Sequence, residues 1–129
     1  MTATVWLLPA VVSAIHGEQL AEHGGPVGAR DRGGFESALA PPQNLAVDTG
    51  RDAVGTLAAA YAFAIVRDRH FAAGNKRTAL AAAALFMELN GFRLTATDGD
   101  CVVTMLGVAD GTVSAKDLVD WFQANIEEI

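Results

Sequence analysis

Arg67-Asp68-Arg69-His70-Phe71-Ala72-Ala73-Gly74-Asn75-Lys76-Arg77 separates two alanine-rich helical patterns and opens the second through Thr78-Ala79-Leu80. Before it, Val54, Leu57, Ala58, Tyr61, Ala62 and Ile65 recur at spacings of three and four, which predicts a helix from about Asp52 to Val66. After it, Leu80, Ala83, Ala84 and Met87 predict a second helix from about Asn75 to Asn90, with Gly91 as its C-cap. So many alanines imply close helix–helix contact. The run itself gathers a glycine, an amide and two cations where a helix begins. Gly74 lets backbone approach a ligand closely. The first N–H groups of a helix lack partners, and its dipole end is positive, so phosphate binds well there. Asn75 caps the helix or donates its amide, Lys76 supplies a point charge and Arg77 a bidentate fork.

Outward from this pair the chain reads as further helices with Gly and Pro punctuation. Pro9 opens a first helix with an apolar stripe of Val11, Val12, Ile15 and Leu20, ended by Gly24-Gly25-Pro26. A short helix is predicted from about Gly34 to Ala40, stopped by Pro41-Pro42. Phe92-Arg93-Leu94-Thr95 reads as an extended piece. Thr97 or Asp98 caps a helix to about Ala109. Ser114-Ala115-Lys116-Asp117 resembles a capping box that opens a last amphipathic helix through Leu118, Trp121, Phe122 and Ile126. The expectation is one all-α domain over residues 1–129: a compact bundle of about six helices around a central pair, with at most one or two short extended pieces.

Composition narrows the function classes. At 129 residues and 51% apolar, the chain has the size and content of one globular domain. No apolar run reaches the roughly 18 residues of a membrane span, and the first residues lack the basic start of a signal peptide. The lone cysteine, Cys101, reads as inert core packing. These features predict a cytoplasmic protein. A net charge of −6 argues against direct nucleic-acid binding, yet four of the nine Lys and Arg residues fall between Arg67 and Arg77. A local basic cluster on an acidic protein suits a small anionic ligand. A solvated helix end with ordinary ion pairs has the same composition.

The stretch from Phe71 to Ala79 resembles the central motif of the Fic/Doc superfamily, H-x-F-x-D-G/A-N-K-R-T, and the whole chain looks like its death-on-curing (Doc) branch, the toxins of toxin–antitoxin modules. Similar residues also fall at Ala14 to Leu20, Gly24-Gly25-Pro26, Arg30 to Gly33 with Glu36-Ser37-Ala38, Pro42-Gln43 and Glu88 to Gly91. The resemblance implies the family fold, a helix pair bracketing the motif. It implies ATP as phosphate donor, Mg²⁺ held with the motif Asp, a cognate antitoxin, and a protein target. Doc-type members, with Lys at the position of Lys76, are kinases that phosphorylate a threonine of elongation factor Tu and stop translation. Other Fic relatives transfer AMP. By the same resemblance Gly74, Asn75, Lys76 and Arg77 grip phosphate, Phe71 packs the motif, the motif His is the general base and the motif Asp helps hold the metal.

Two positions depart from the pattern. The family His falls on Arg69 and the family Asp on Ala73. Arginine stays protonated and cannot act as a base; alanine cannot ligate a metal. His70 replaces the base only if the loop reshapes, as though a residue had been deleted before Phe71, since one residue turns a helical side chain by about 100°. Leu80 stands where other Fic proteins carry a second phosphate-binding Arg, and Pro41 where relatives often have Arg. His16 and His23 read as first-helix residues, His16 packed. Arg32, Glu36 and Asp68 read as loop-fixing polar residues. An active phosphotransferase and a catalytically impaired protein that binds nucleotide or antitoxin both remain open. The antitoxin's acceptor surface is expected on the first helix or the Gly24–Gly34 loop.

Overall fold

The computed structural model describes residues 4–24, 50–68 and 74–129, the side chains of residues 23 and 68 excepted. Five helices and two short strands occur among them: α1 (Pro9–His23), α2 (Arg51–Asp68), α3 (Asn75–Leu89), β1 (Phe92–Leu94), α4 (Asp98–Asp110), α5 (Ala115–Ala124) and β2 (Ile126–Glu128). The predicted helix at Gly34–Ala40 and most of the motif connection, Arg69 to Ala73, lie outside the described residues. The mainly helical architecture agrees with the expected class. The expected extended piece, Phe92 to Leu94, pairs antiparallel with β2.

The central pair is α2 and α3, the most extensive helix contact in the molecule. Alanines make it possible: Ala58 and Ala62 of α2 and Ala79, Ala82 and Ala83 of α3 are completely buried. With only methyl groups between them, the two backbones approach closely, and larger side chains fill the ends. Phe86 is fully buried, its ring centroid 5.1 Å from that of Tyr61. Truncation of such a side chain costs about 3–5 kcal/mol. Burial pushes the Tyr61 phenol pKa up. Its hydroxyl accepts from the Leu7 N–H at 3.2 Å and so fastens the segment before α1. Asn90 clamps the same segment: its Oδ1 accepts from the Val5 N–H at 2.8 Å and its Nδ2 donates to the Val5 carbonyl at 2.9 Å.

The buried face of α3 includes Ala83 and Met87 of the face the sequence suggests but is rotated away from Leu80 and Ala84. Thr78, Ala79, Ala82, Ala83, Phe86 and Met87 are buried, while Leu80 and Ala84 are only half-buried. Hydropathy weights Leu80 above alanine, but close approach of α2 selects the smallest side chains for the contact. In α1 the inward line is Val12, His16 and Leu20, one turn apart, with Val11 and Ile15 half-buried. Pro9 occupies the first turn as expected, and Gly24 closes the helix, its N–H donating to the Leu20 carbonyl at 2.7 Å.

The last third packs across the central pair: α5 lies against α2, while β1 lies against α3 and α4 touches both helices. Thr97 caps α4 through its side chain. The Ser114 capping box opens α5 with both of its reciprocal bonds. α5 ends at Ala124, earlier than its apolar pattern implies, because the Asn125 side chain donates back to the Trp121 carbonyl at 2.8 Å and the chain turns into β2. Ile126 is therefore buried from a strand, opposite Leu94, rather than from the helix. Arg93 and Glu127 face each other in this ladder and form an ion pair. α4 meets the turn before α5 very closely: a Cβ at Gly107 would lie 2.4 Å from Val113 Cγ2, so no larger residue fits there without displacement.

Candidate functional site at the start of α3

Gly74 takes the left-handed conformation, φ +75° and ψ +17°, and hands the chain directly into α3. An L-residue is strained there by roughly 1–2 kcal/mol. The Gly74 carbonyl accepts the first helical bond from the Thr78 N–H at 3.0 Å. Asn75 is the first helical residue and not the cap as one reading of the sequence had it. No side chain caps the N-terminus, and its first turn carries no acid. Lys76 and Arg77 are exposed, and Gly74 and Asn75 are partly exposed. The positive end of the helix dipole and two exposed cations thus share one turn. Such a turn suits an anion.

His16 lies beneath this turn. It is 2% exposed, and a Cβ at Gly74 would sit 3.7 Å from its Cδ2 and 3.8 Å from its Nε2. That is ordinary van der Waals contact, so glycine is required at 74 by its backbone angle more than by lack of room. Sequence reading gave His16 a packing role, and it is packed. What it missed is the neighbour: α1 and the start of α3 meet at this imidazole. The sequence signal was present, since His16 sits midway between Val12 and Leu20 at helical spacing.

Thr78 is also unusual. It is fully buried, and its Oγ1 has no hydrogen-bond partner. A buried hydroxyl left in this way costs about 1–3 kcal/mol.

Arg77 turns into a groove of about 480 Å³ along α3. Leu80, Ala81 and Ala84 form one wall, and Leu94, Ala96 and Cys101 continue it, with Gln19, Glu88, Arg93 and Asp98 as polar members. Leu80 makes this wall apolar where a second phosphate-binding arginine would make it cationic. Cys101 is buried, and its thiol pKa is pushed up by burial and then by the carboxylates of Asp98 and Asp100. The thiol stays protonated near neutral pH, in line with inert packing.

The expected site residues divide into two groups. Gly74, Asn75, Lys76 and Arg77 come together at the helix start. Arg69, His70, Phe71 and Ala73 lie outside the described residues. Among the described residues no group of three or more His, Cys, Asp or Glu gathers to hold a metal ion, and Ala73 brings only a methyl group. The described residues bring no carboxylate set that fits a protein-held Mg²⁺. No helix among the described residues is long and apolar enough to cross a membrane.

A G-N-K-R turn of this build has chemistry that suits an anion at a helix start. Residues 6–87, well over half of the chain, match the Fic/DOC family, and the chain belongs to that family. The match spans α1, α2 and nearly all of α3, so it covers every element that meets at Gly74. No curated protein matches the chain.

Proposed function

We propose that this chain is a Doc-type protein that grips the phosphates of ATP at the start of α3 and directs the nucleotide to a threonine of elongation factor Tu, arresting translation. The observation that carries the reading is the uncapped, Gly74-entered turn with Lys76 and Arg77 exposed beside it, in a chain of the Fic/DOC family. Phosphoryl transfer depends mainly on positioning and charge stabilisation, with one base to take the hydroxyl proton. The Asn75, Lys76 and Arg77 grip addresses the first requirement. Lys76 in place of the glycine of other Fic motifs favours the Doc branch, hence phosphoryl over AMP transfer.

Arg69 and Ala73 favour a second reading, in which the chain holds nucleotide and a cognate antitoxin without turnover. Arg69 brings no base, and His70 takes that role only with a reshaped loop. Transfer of label from γ-labelled ATP to elongation factor Tu separates the two, run beside the Arg69→His/Ala73→Asp double variant, with α-labelled ATP to detect AMP transfer. Labelling by the unmodified chain establishes the kinase. Labelling by the double variant alone establishes the binding protein. Labelling by neither removes the kinase reading. Growth arrest on inducing the chain alone tests toxicity directly. An antitoxin whose C-terminal segment folds onto the chain should raise its melting temperature by mass action.

A further inference from the structure

The outer face of α4 departs from the usual pattern of a surface helix. Cys101, Met105 and Val108 point into the protein, yet Val102, Val103 and Leu106 point outward with 58%, 69% and 48% of their surface exposed. The three fall within about 100° of helical arc, so they form one stripe and not scattered exposures. Gly99 lies on the same arc, and nothing comes within 4 Å of a Cβ placed on it, which leaves room for close approach. A contiguous apolar stripe kept in water marks a contact surface.

The charges around the stripe select its occupant. Asp98 and Asp100 stand exposed at its N-terminal end, with no ion pair to either among the described residues. Asp110 closes the other end, where its carboxylate accepts from the Thr112 hydroxyl and N–H, which lower its pKa. Arg67 stacks on Phe63 with its Cζ 5.8 Å from the ring centroid and reaches the carbonyl end of α4 at Gly111, and Arg77 and Arg93 line the α3 groove that Asp98 also borders, while Asp100 is not among that groove's lining residues. A second copy of the chain is a poor occupant. Parallel α4 helices set Asp98 and Asp100 against themselves, antiparallel ones set them against Asp110, and each copy carries a net charge of −6.

We infer that the Val102–Val103–Leu106 face docks an amphipathic helix of a partner protein, with basic residues in the turn that meets Asp98 and Asp100. This inference does not rest on the nucleotide reading, because the face lies on the outer side of α4. Its elements are the familiar ones of a helix laid along an apolar stripe, with rim charges setting direction and partner choice.

A labelled helical peptide of about fourteen residues, long enough to cover the three turns of α4, tests it by fluorescence anisotropy. The peptide carries leucines at spacings of three and four and arginines in one terminal turn; a control peptide has glutamates in place of the arginines. The arginine peptide should bind the full chain about tenfold more tightly than the control, with the difference shrinking as salt rises. Val102→Ser/Val103→Ser/Leu106→Ser should abolish binding, and Asp98→Asn/Asp100→Asn should remove the preference, both in a chain that keeps the helical circular dichroism and cooperative melting of the parent. Equal binding of the two peptides, binding by neither, or binding that survives the triple serine variant overturns the proposal. So does a dimer of the free chain in light scattering that Leu106→Asp dissolves, which would make a second copy the occupant.

Discussion

Two helices of this molecule begin in opposite ways. α5 is sealed by its own side chains: the Ser114 hydroxyl accepts from the Asp117 N–H at 3.1 Å, and the Asp117 carboxylate accepts from the Ser114 N–H at 3.0 Å. Its first-turn acid answers the helix dipole from within. α3 has a left-handed glycine where α5 has Ser114, no acid in its first turn, and Lys76 and Arg77 in their place. The first arrangement spends the helix's unpaired donors on stability. The second has no side-chain cap from Gly74 and puts two cations where an acid would answer the dipole, which suits an anion. A capped terminus and a binding terminus are alternative uses of the same four N–H groups.

The largest effect that tests this contrast is on binding. Lys76→Ala/Arg77→Ala should weaken ATP, measured by titration calorimetry, by at least about a hundredfold, since each charge-assisted contact contributes roughly 1.5–3 kcal/mol. Melting should hardly change, because both side chains are exposed. Unchanged affinity would break the comparison by showing that α3's start is merely uncapped.

Thr78→Val comes next. Replacing a buried hydroxyl without a partner by a methyl should raise stability by about 1 kcal/mol in urea unfolding. A loss of stability would mean that the hydroxyl is satisfied in solution. A loss of ATP affinity at unchanged stability would add Thr78 to the site.

The smallest effects belong to α5. Ser114→Ala should lower stability by about 1 kcal/mol and leave ATP affinity untouched. The bonds from the Ser114 backbone N–H and hydroxyl hold Asp117 below the usual aspartate range. A carboxylate whose folded pKa is depressed contributes stability that is complete above its unfolded pKa and is lost as pH falls through the folded one. Urea midpoints of the parent and Asp117→Asn should therefore converge on acidification below the ordinary aspartate range. A gap that persists there would remove the capping box as its cause.

How much of this was legible in the sequence varies with the kind of signal. The helix starts at Pro9, Thr97 and Ser114 were legible because proline, threonine and serine act on their own nearest backbone groups. The grip at Gly74 to Arg77 was legible for the same reason, its residues being contiguous. The buried face of α3 was legible only in part, because alanine carries little hydropathy and only the nearness of α2 singles out Ala79 and Ala82. Ile126 was read one element too early, since a strand that pairs with Phe92–Leu94 depends on a partner more than thirty residues away. Helical spacing signals that His16 is buried but not that Gly74 lies above it, and the unpartnered Thr78 hydroxyl has no local signature at all.

The sequence by itself determined what each helix end can do. Capping and dipole chemistry act within a turn, so the residues that seal α5 and open α3 are neighbours in the chain. Only the tertiary structure decided which faces meet, that Arg77 shares a groove with Leu94, Arg93 and Cys101, and that Val102, Val103 and Leu106 stay in water. Burial is set by what another element covers, and a side chain's hydropathy records only its preference for being covered.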